Sequence, residues 1–154
     1  MNPKLLREAI EKAAENVRHG GGPFAALVVK DGAVIAAGTN RVAAANDPTA
    51  HAEIVAIREA CRSLGGFQLT GCDVYCSCEP CPMCLGALFW ARPARVFFAA
   101  SAADAAAAGF DDSFIYSQLA LPQAGRAIPM IRAEDQSANR PFAEWAAWAD
   151  KVRY

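Results

Sequence analysis

The stretch CDVYCSCEPCPMCLGALFWARPARVFFAA, Cys72 to Ala100, decides the fold. CDVYCS is a short apolar run and reads as a strand. CPMCLGALFWAR reads as a helix, with Cys81 at its cap, Pro82 at its first position and a stop at Arg92-Pro93. ARVFFAA is a second buried strand. Strand, cysteine-rich turn, helix and strand therefore follow one another within one short segment.

The flanks extend this alternation. Asn2 caps a first helix with Pro3 in its first turn, and Leu6, Ile10, Ala13 and Val17 share one face until Gly20-Gly21-Gly22-Pro23 ends it. PFAALVVK and AVIAAGTN surround Asp31-Gly32, a strong hairpin signal. Asp47-Pro48 opens a second helix that runs through HAEIVAIREACRSL to Gly65-Gly66. The alanine-rich run Ala99 to Phe110 reads as a helix or turn, and IPMIRA (Ile128 to Ala133) as a further, weaker strand. The tail from Pro141 to Tyr154 reads as helical, with Phe142, Trp145, Trp148 and Val152 roughly on one stripe. Helices interleaved with apolar strands imply a sheet covered on both faces. The expectation is an α/β protein, a three-layer α/β/α sandwich on a mixed sheet of about five strands.

Length and composition bound the rest. The chain has 154 residues, which fits one domain over 1–154. No apolar run reaches the roughly 18 residues of a membrane span, and MNPKLLREAIEK is charged and amphipathic, unlike a secretory signal. A cytoplasmic protein with no membrane partner is expected. Six cysteines then read as metal ligands or buried thiols rather than disulfides. The net charge is −1 and no basic block stands out, which argues against nucleic acid as a partner. The three glycines lack the Gly-Lys-Ser/Thr of a phosphate loop.

Cys78, Cys81 and Cys84 resemble the start of an iron–sulfur run, but Leu88 stands where the fourth cysteine belongs. A structural four-cysteine zinc site would need a second close pair, and Cys61 and Cys72 are far apart in sequence. Of the two histidines, His19 reads as a solvated residue at a helix end. His51-Ala52-Glu53 and Pro80-Cys81-Pro82-Met83-Cys84 together match the H-x-E and P-C-x-x-C of zinc deaminases. His51, Cys81 and Cys84 would give Zn2+ three protein ligands and leave one position open, the mark of a catalytic site. Glu53 stays free for proton transfer. Cys76 reads as a core thiol, and Cys78 as a neighbour of the metal rather than a ligand.

These motifs resemble the cytidine deaminase superfamily. GGPFAALVVKDG, NDPTAHAE, SCEPCPMCLGA followed by WARP, AGFDDSFIY and the aromatic tail ending in Tyr154 resemble bacterial guanine deaminases along nearly the whole chain. NDPTAHAE and the cysteine motif are shared with tRNA adenosine deaminases; GFDDSFIY and the terminal tyrosine discriminate. Ala25 stands where that family often has glycine, and Cys76 where threonine is expected.

The resemblance implies hydrolysis of guanine to xanthine and ammonia by a zinc-activated water, with Glu53 as proton shuttle. It makes Phe24, Asn40, Ala52, Asp112 and Tyr154 substrate contacts, and Glu79, Asp111 and Glu144 further candidates. From the residues alone, Phe24 reads equally as core, Asn40 as a turn asparagine, and the acidic residues as solvated. It also implies a homodimer that exchanges the segment 140–154, placing Tyr154 over the partner's site. The rival substrates are guanosine, an aminotriazine, cytosine or adenosine in tRNA. A non-catalytic zinc scaffold is a rival of another kind, against which Glu53 argues.

Overall fold

The computed structural model describes residues 1–153, so Tyr154 lies outside the described residues. The chain divides into two compact units, Met1–Ser113 and Phe114–Tyr154.

The first unit is built on a four-stranded sheet in the order β2-β1-β3-β4. Its strands are β1 (Ala25–Lys30), β2 (Ala33–Thr39), β3 (Cys72–Cys78) and β4 (Arg95–Ala100). β1 and β2 form the expected hairpin, with Asp31 and Gly32 both at positive φ and a register shift between Val28 and Val29. β1 also pairs antiparallel with β3, while β3 and β4 run parallel, so the sheet is mixed. A parallel pair needs a crossover, which α4 (Pro82–Ala91) provides.

Strand alternation sorts the core into two layers. Leu27, Val29 and Tyr75 face α1 (Pro3–Arg18) and pack on Ala9. Ala26, Val28, Val74 and Cys76 face the other way, with Ala52, Ala56 and Ala60 of α3 (Ala52–Leu64) and Leu88 of α4. Both faces of the sheet are covered, the three-layer arrangement expected. Small residues on α3 let it approach closely: a Cβ on Gly38 of β2 would lie 2.2 Å from the Ala52 carbonyl oxygen. The unit also contains a short α2 (Val42–Ala45) and α5 (Ala102–Ala107), whose cap Ser101 exchanges bonds with Asp104.

Four expectations change. IPMIRA is not a strand, which leaves four strands rather than about five: Pro129 has no N–H to give a ladder, and Ile131 is 89% exposed. The second helix begins at Ala52, not at Asp47-Pro48, because the Asp47 carboxylate accepts from the Thr49 N–H and hydroxyl and holds a turn there. On α1, Leu6 and Ala13 lie on the inner face as expected, but the face runs on through Ala9, with Ile10 42% exposed and Val17 turned to solvent. The tail helix α7 (Arg140–Ala147) ends at Trp148, short of the C-terminus.

The second unit holds α6 (Ser113–Ala120, which begins at the boundary), a 3-10 turn at Gln123–Gly125 and α7. None of its described residues is buried. Among the described residues no helix is long and apolar enough to cross a membrane.

Candidate active site

Two helix N-termini converge on one point. His51 is the N-cap of α3 and Cys81 the N-cap of α4, both with extended backbone (φ −68°, ψ 156° and φ −64°, ψ 168°). An N-cap side chain ordinarily bonds the first turn's free N–H groups. Neither of these does, so both project off the helix ends. His51 Nδ1 lies 3.5 Å from Cys81 Sγ and 3.6 Å from Cys84 Sγ. One ligand atom from each of the three residues lies within 4.8 Å of the others.

The donor set fits zinc. Tetrahedral angles with the usual Zn–S and Zn–N lengths place a nitrogen and a sulfur about 3.5 Å apart, the spacing found here. His51, Cys81 and Cys84 form a candidate zinc site with three protein ligands.

The three side chains perturb one another's titration. Cys81 is pulled down to about 4, first by the hydrogen bond from the Cys84 thiol and then by His51. His51 is raised, chiefly by its bond to Cys81. Cys84 is pushed up, first by the same bond to Cys81 and then by burial. A metal ion takes the thiolate forms of the two cysteines and the neutral form of the imidazole.

Glu53 lies in the first turn of α3, with 8% of its surface exposed. Its Oε2 accepts from Cys84 Sγ at 3.4 Å. Burial holds its carboxyl above the ordinary glutamate value of 4.5. His51 and Glu53 reach the same place because His51 is not on the helix: it is the extended residue before it, so helical spacing does not separate the two side chains.

The other expected residues divide. Ala52 is buried as the first residue of α3. Phe24 packs on the core layer that contains Ala52, and its carbonyl accepts from the Asn40 N–H at 3.0 Å. The Arg41 N–H donates to the Ala50 carbonyl at 2.9 Å, which brings Asn40 beside the His51 segment. Asp112 is raised, chiefly by burial and then by the charge of Cys81. Asp111 instead accepts from the Ser113 N–H at 2.8 Å and is exposed. Glu79 accepts from the Ala102 N–H at 2.9 Å and so holds the start of α5. Glu144, in the second unit, pairs with Arg140 at 2.7 Å. Cys78 lies 3.6 Å from the Ser101 carbonyl, outside the ligand set, and burial keeps Cys76 a protonated core thiol.

Two residues escape the sequence reading. Phe110 stands edge-on to Phe24, with ring centroids 5.0 Å apart at 88°. Asn16 bonds the carbonyls of Gly22 and Asn40. Asn16 carries a sequence signal, for it follows Ala9 and Ala13 at the helical interval of the buried face.

A histidine, two cysteines and a buried glutamate at two helix N-termini of an α/β/α sandwich define the class of zinc-binding deaminases. Residues 2–100 match the family described as cytidine and deoxycytidylate deaminase zinc-binding region. Along 151 residues the chain is 54% identical to guanine deaminase of Bacillus subtilis (strain 168), covering 97% of each chain. The X-ray structure of guanine deaminase from Bacillus subtilis matches with a TM-score of 0.98 at 53% identity, over 100% of this chain and 99% of that one. The tRNA-specific adenosine deaminase of Aquifex aeolicus (strain VF5) is 43% identical over 62% of this chain and 64% of its own. The chain belongs to the guanine deaminases within the cytidine and deoxycytidylate deaminase family.

Proposed function

We infer that this protein deaminates guanine hydrolytically, releasing xanthine and ammonia. The observation that carries the reading is the convergence of His51, Cys81, Cys84 and Glu53 in a chain that is 54% identical to a guanine deaminase along nearly its full length. Zinc, when bound by the three ligands, makes water a nucleophile near neutral pH, at a pKa of ~7.

The chain's own residues do the remaining work. Glu53 takes a proton from water and delivers it to a ring nitrogen of the purine; it then takes the second proton, from the hydroxyl added at C2, and delivers it to the amine as the C–N bond breaks. Its burial suits this, because a carboxyl held above its ordinary value both accepts and returns a proton readily. Phe24 offers a ring face to the base, and Phe110 holds that ring edge-on. Asn40 and the backbone at Ala52 contact the polar edge of the purine. Asp112 accepts from its N–H groups, a suitable partner for a base rich in donors. Glu79 and Asp111 serve as struts of the surrounding loops, given their bonds to Ala102 and Ser113.

Residues 140–154 function as an exchanged segment in a homodimer, closing the partner's site with Tyr154 and Glu144 beside the substrate. Apolar surface supports this: Phe142 is 71% exposed, and Phe89 on α4 of the first unit is 73% exposed. Surface of this kind needs a cover. The protein works in the cytoplasm on a free base. The net charge of −1 argues against a tRNA substrate.

Ammonia release by the zinc-loaded protein from guanine, guanosine, cytosine, cytidine, adenine and an aminotriazine tests the reading. Guanine should dominate, and Glu53→Ala should be silent while keeping its zinc. Preference for another amine would overturn the substrate assignment and leave the metal and Glu53 in place. Light scattering should give a dimer, and removal of residues 150–154 should lower guanine turnover by roughly 10²-fold. Unchanged turnover would remove the tail from the site.

A further inference from the structure

We propose that Asn16, far in sequence from the metal ligands, is a positioning residue for the substrate. Its side-chain amide clamps the glycine loop to the end of β2 and so fixes where Phe24 and Asn40 stand. The inference rests on the guanine deaminase reading for the identity of the substrate, but not for the clamp.

Asn16 Nδ2 donates to the Gly22 carbonyl at 2.8 Å and to the Asn40 carbonyl at 2.9 Å. Both hydrogens of the amide are thereby used, and two carbonyl acceptors require the nitrogen at that position. The Asn16 backbone carbonyl in turn accepts from the Gly21 N–H at 2.8 Å. One residue thus binds three points on two separate segments.

The fit is too close for side chains on the loop. A Cβ on Gly21 would lie 2.3 Å from Asn16 Nδ2, and one on Gly22 would lie 2.9 Å from Asn40 Cγ and Oδ1. The Asn40 amide is therefore seated against bare backbone, with its Oδ1 accepting from the Val42 N–H at 3.3 Å. From the clamp, backbone bonds lead onward. The Phe24 N–H donates to Gly22 at 2.9 Å, Asn40 to Phe24 at 3.0 Å, and Arg41 to Ala50 at 2.9 Å, one residue before His51. The metal ligands are held separately by α3 and α4. Loosening the clamp should therefore displace the substrate side of the site and leave the metal side intact.

Three variants test this: Asn16→Ala, the isosteric Asn16→Asp, and Gly22→Ala, which leaves Asn16 in place but crowds Asn40. Each should bind zinc as the parent does. Each should raise KM for guanine about 10-fold with kcat within about 3-fold, the signature of lost uniform binding. Asn16→Asp should be impaired as fully as Asn16→Ala, because it keeps the shape and loses both donors. An Asn16→Asp enzyme with the parent's KM would overturn the clamp, as would a fall in kcat that tracks lost zinc. Amide hydrogen exchange gives a readout independent of the substrate. Segments 20–24 and 40–42 should exchange faster in both Asn16 variants, with 51–55 and 81–85 unchanged. Unchanged exchange at 20–24 would overturn the proposal. A parent protein inert toward guanine would instead refute the substrate assignment, and the exchange data would still decide the clamp.

Discussion

The two units of this chain solve the problem of apolar surface differently. Met1–Ser113 buries its own: Leu27, Val28, Leu69 and Val74 are inaccessible between the sheet and the helices on its two faces. Phe114–Tyr154 buries none of its described residues, although it carries Phe114, Ile128, Ile131, Phe142, Trp145 and Trp148. Its ring contact between Trp145 and Trp148, at 5.6 Å, is local to one end of α7. The first unit has a core of its own. The second has the composition of a core without the layers to make one. That difference separates a scaffold that can hold reacting groups rigidly from a segment that leaves its large apolar side chains exposed.

The largest expected effect lies wholly in the first unit. Cys84→Ser should lose both zinc and measurable activity, since Cys84 is a fully buried member of the ligand set. Cys78→Ser should keep its zinc. Metal analysis separates the two outcomes, and zinc loss from Cys78→Ser with retention in Cys84→Ser would reassign the ligands. Next, Glu53→Gln should keep one zinc per chain and lower kcat/KM by roughly 10³–10⁴-fold, the range for a proton-transfer group. A fall of under about 10-fold would remove Glu53 from proton transfer.

Stability contrasts the units directly. Leu69→Ala should cost about 2–5 kcal/mol in urea unfolding, because Leu69 is completely buried. Phe142→Ala should change the unfolding of dissociated chains by less than about 0.5 kcal/mol. It should nevertheless weaken association measurably by sedimentation. Equal costs at the two positions would mean that the second unit has cover of its own.

The smallest effect is a pH slope. Burial raises the Glu53 carboxyl in the native state above its ordinary 4.5. Between that value and the raised one, the native protein binds more protons than the unfolded chain. The Glu53 contribution to the stability of the zinc-free protein is therefore full below pH 4.5 and is lost as pH rises through the raised value. Glu53→Gln should flatten this slope, and an unchanged slope would assign it to another group.

Much of the site was legible because its signals are local. A histidine followed by Ala52 and Glu53, and Pro80-Cys81 followed by Cys84, carry their spacing in the chain itself. The caps at Asn2 and Cys81 and the stop at Arg92, at φ 55°, also follow from neighbouring residues. The misread elements depended on groups elsewhere. The structure starts α3 later than the cap signal at Asp47 predicts, because the Asp47 carboxylate makes a turn with Thr49 instead. IPMIRA has strand composition but no neighbour to pair with. On α1, Leu6 and Ala13 keep the expected face, but Ala9 takes the place of Ile10 and Val17 because it is small enough to approach the sheet.

By itself, then, the sequence determined the residue types of the candidate ligand set, the glutamate beside it, the hairpin and the alternation of the main helices and strands as far as β4. Each of these rests on residues close together in the chain. Only the tertiary structure decided that His51 and Cys81 meet 3.5 Å apart across two helix ends, and that Asn16 ties Gly22 to Asn40. Such contacts join residues far apart in the chain, and they depend on packing, as where Gly38 admits the Ala52 carbonyl and Gly22 admits the Asn40 side chain, which local pattern does not record.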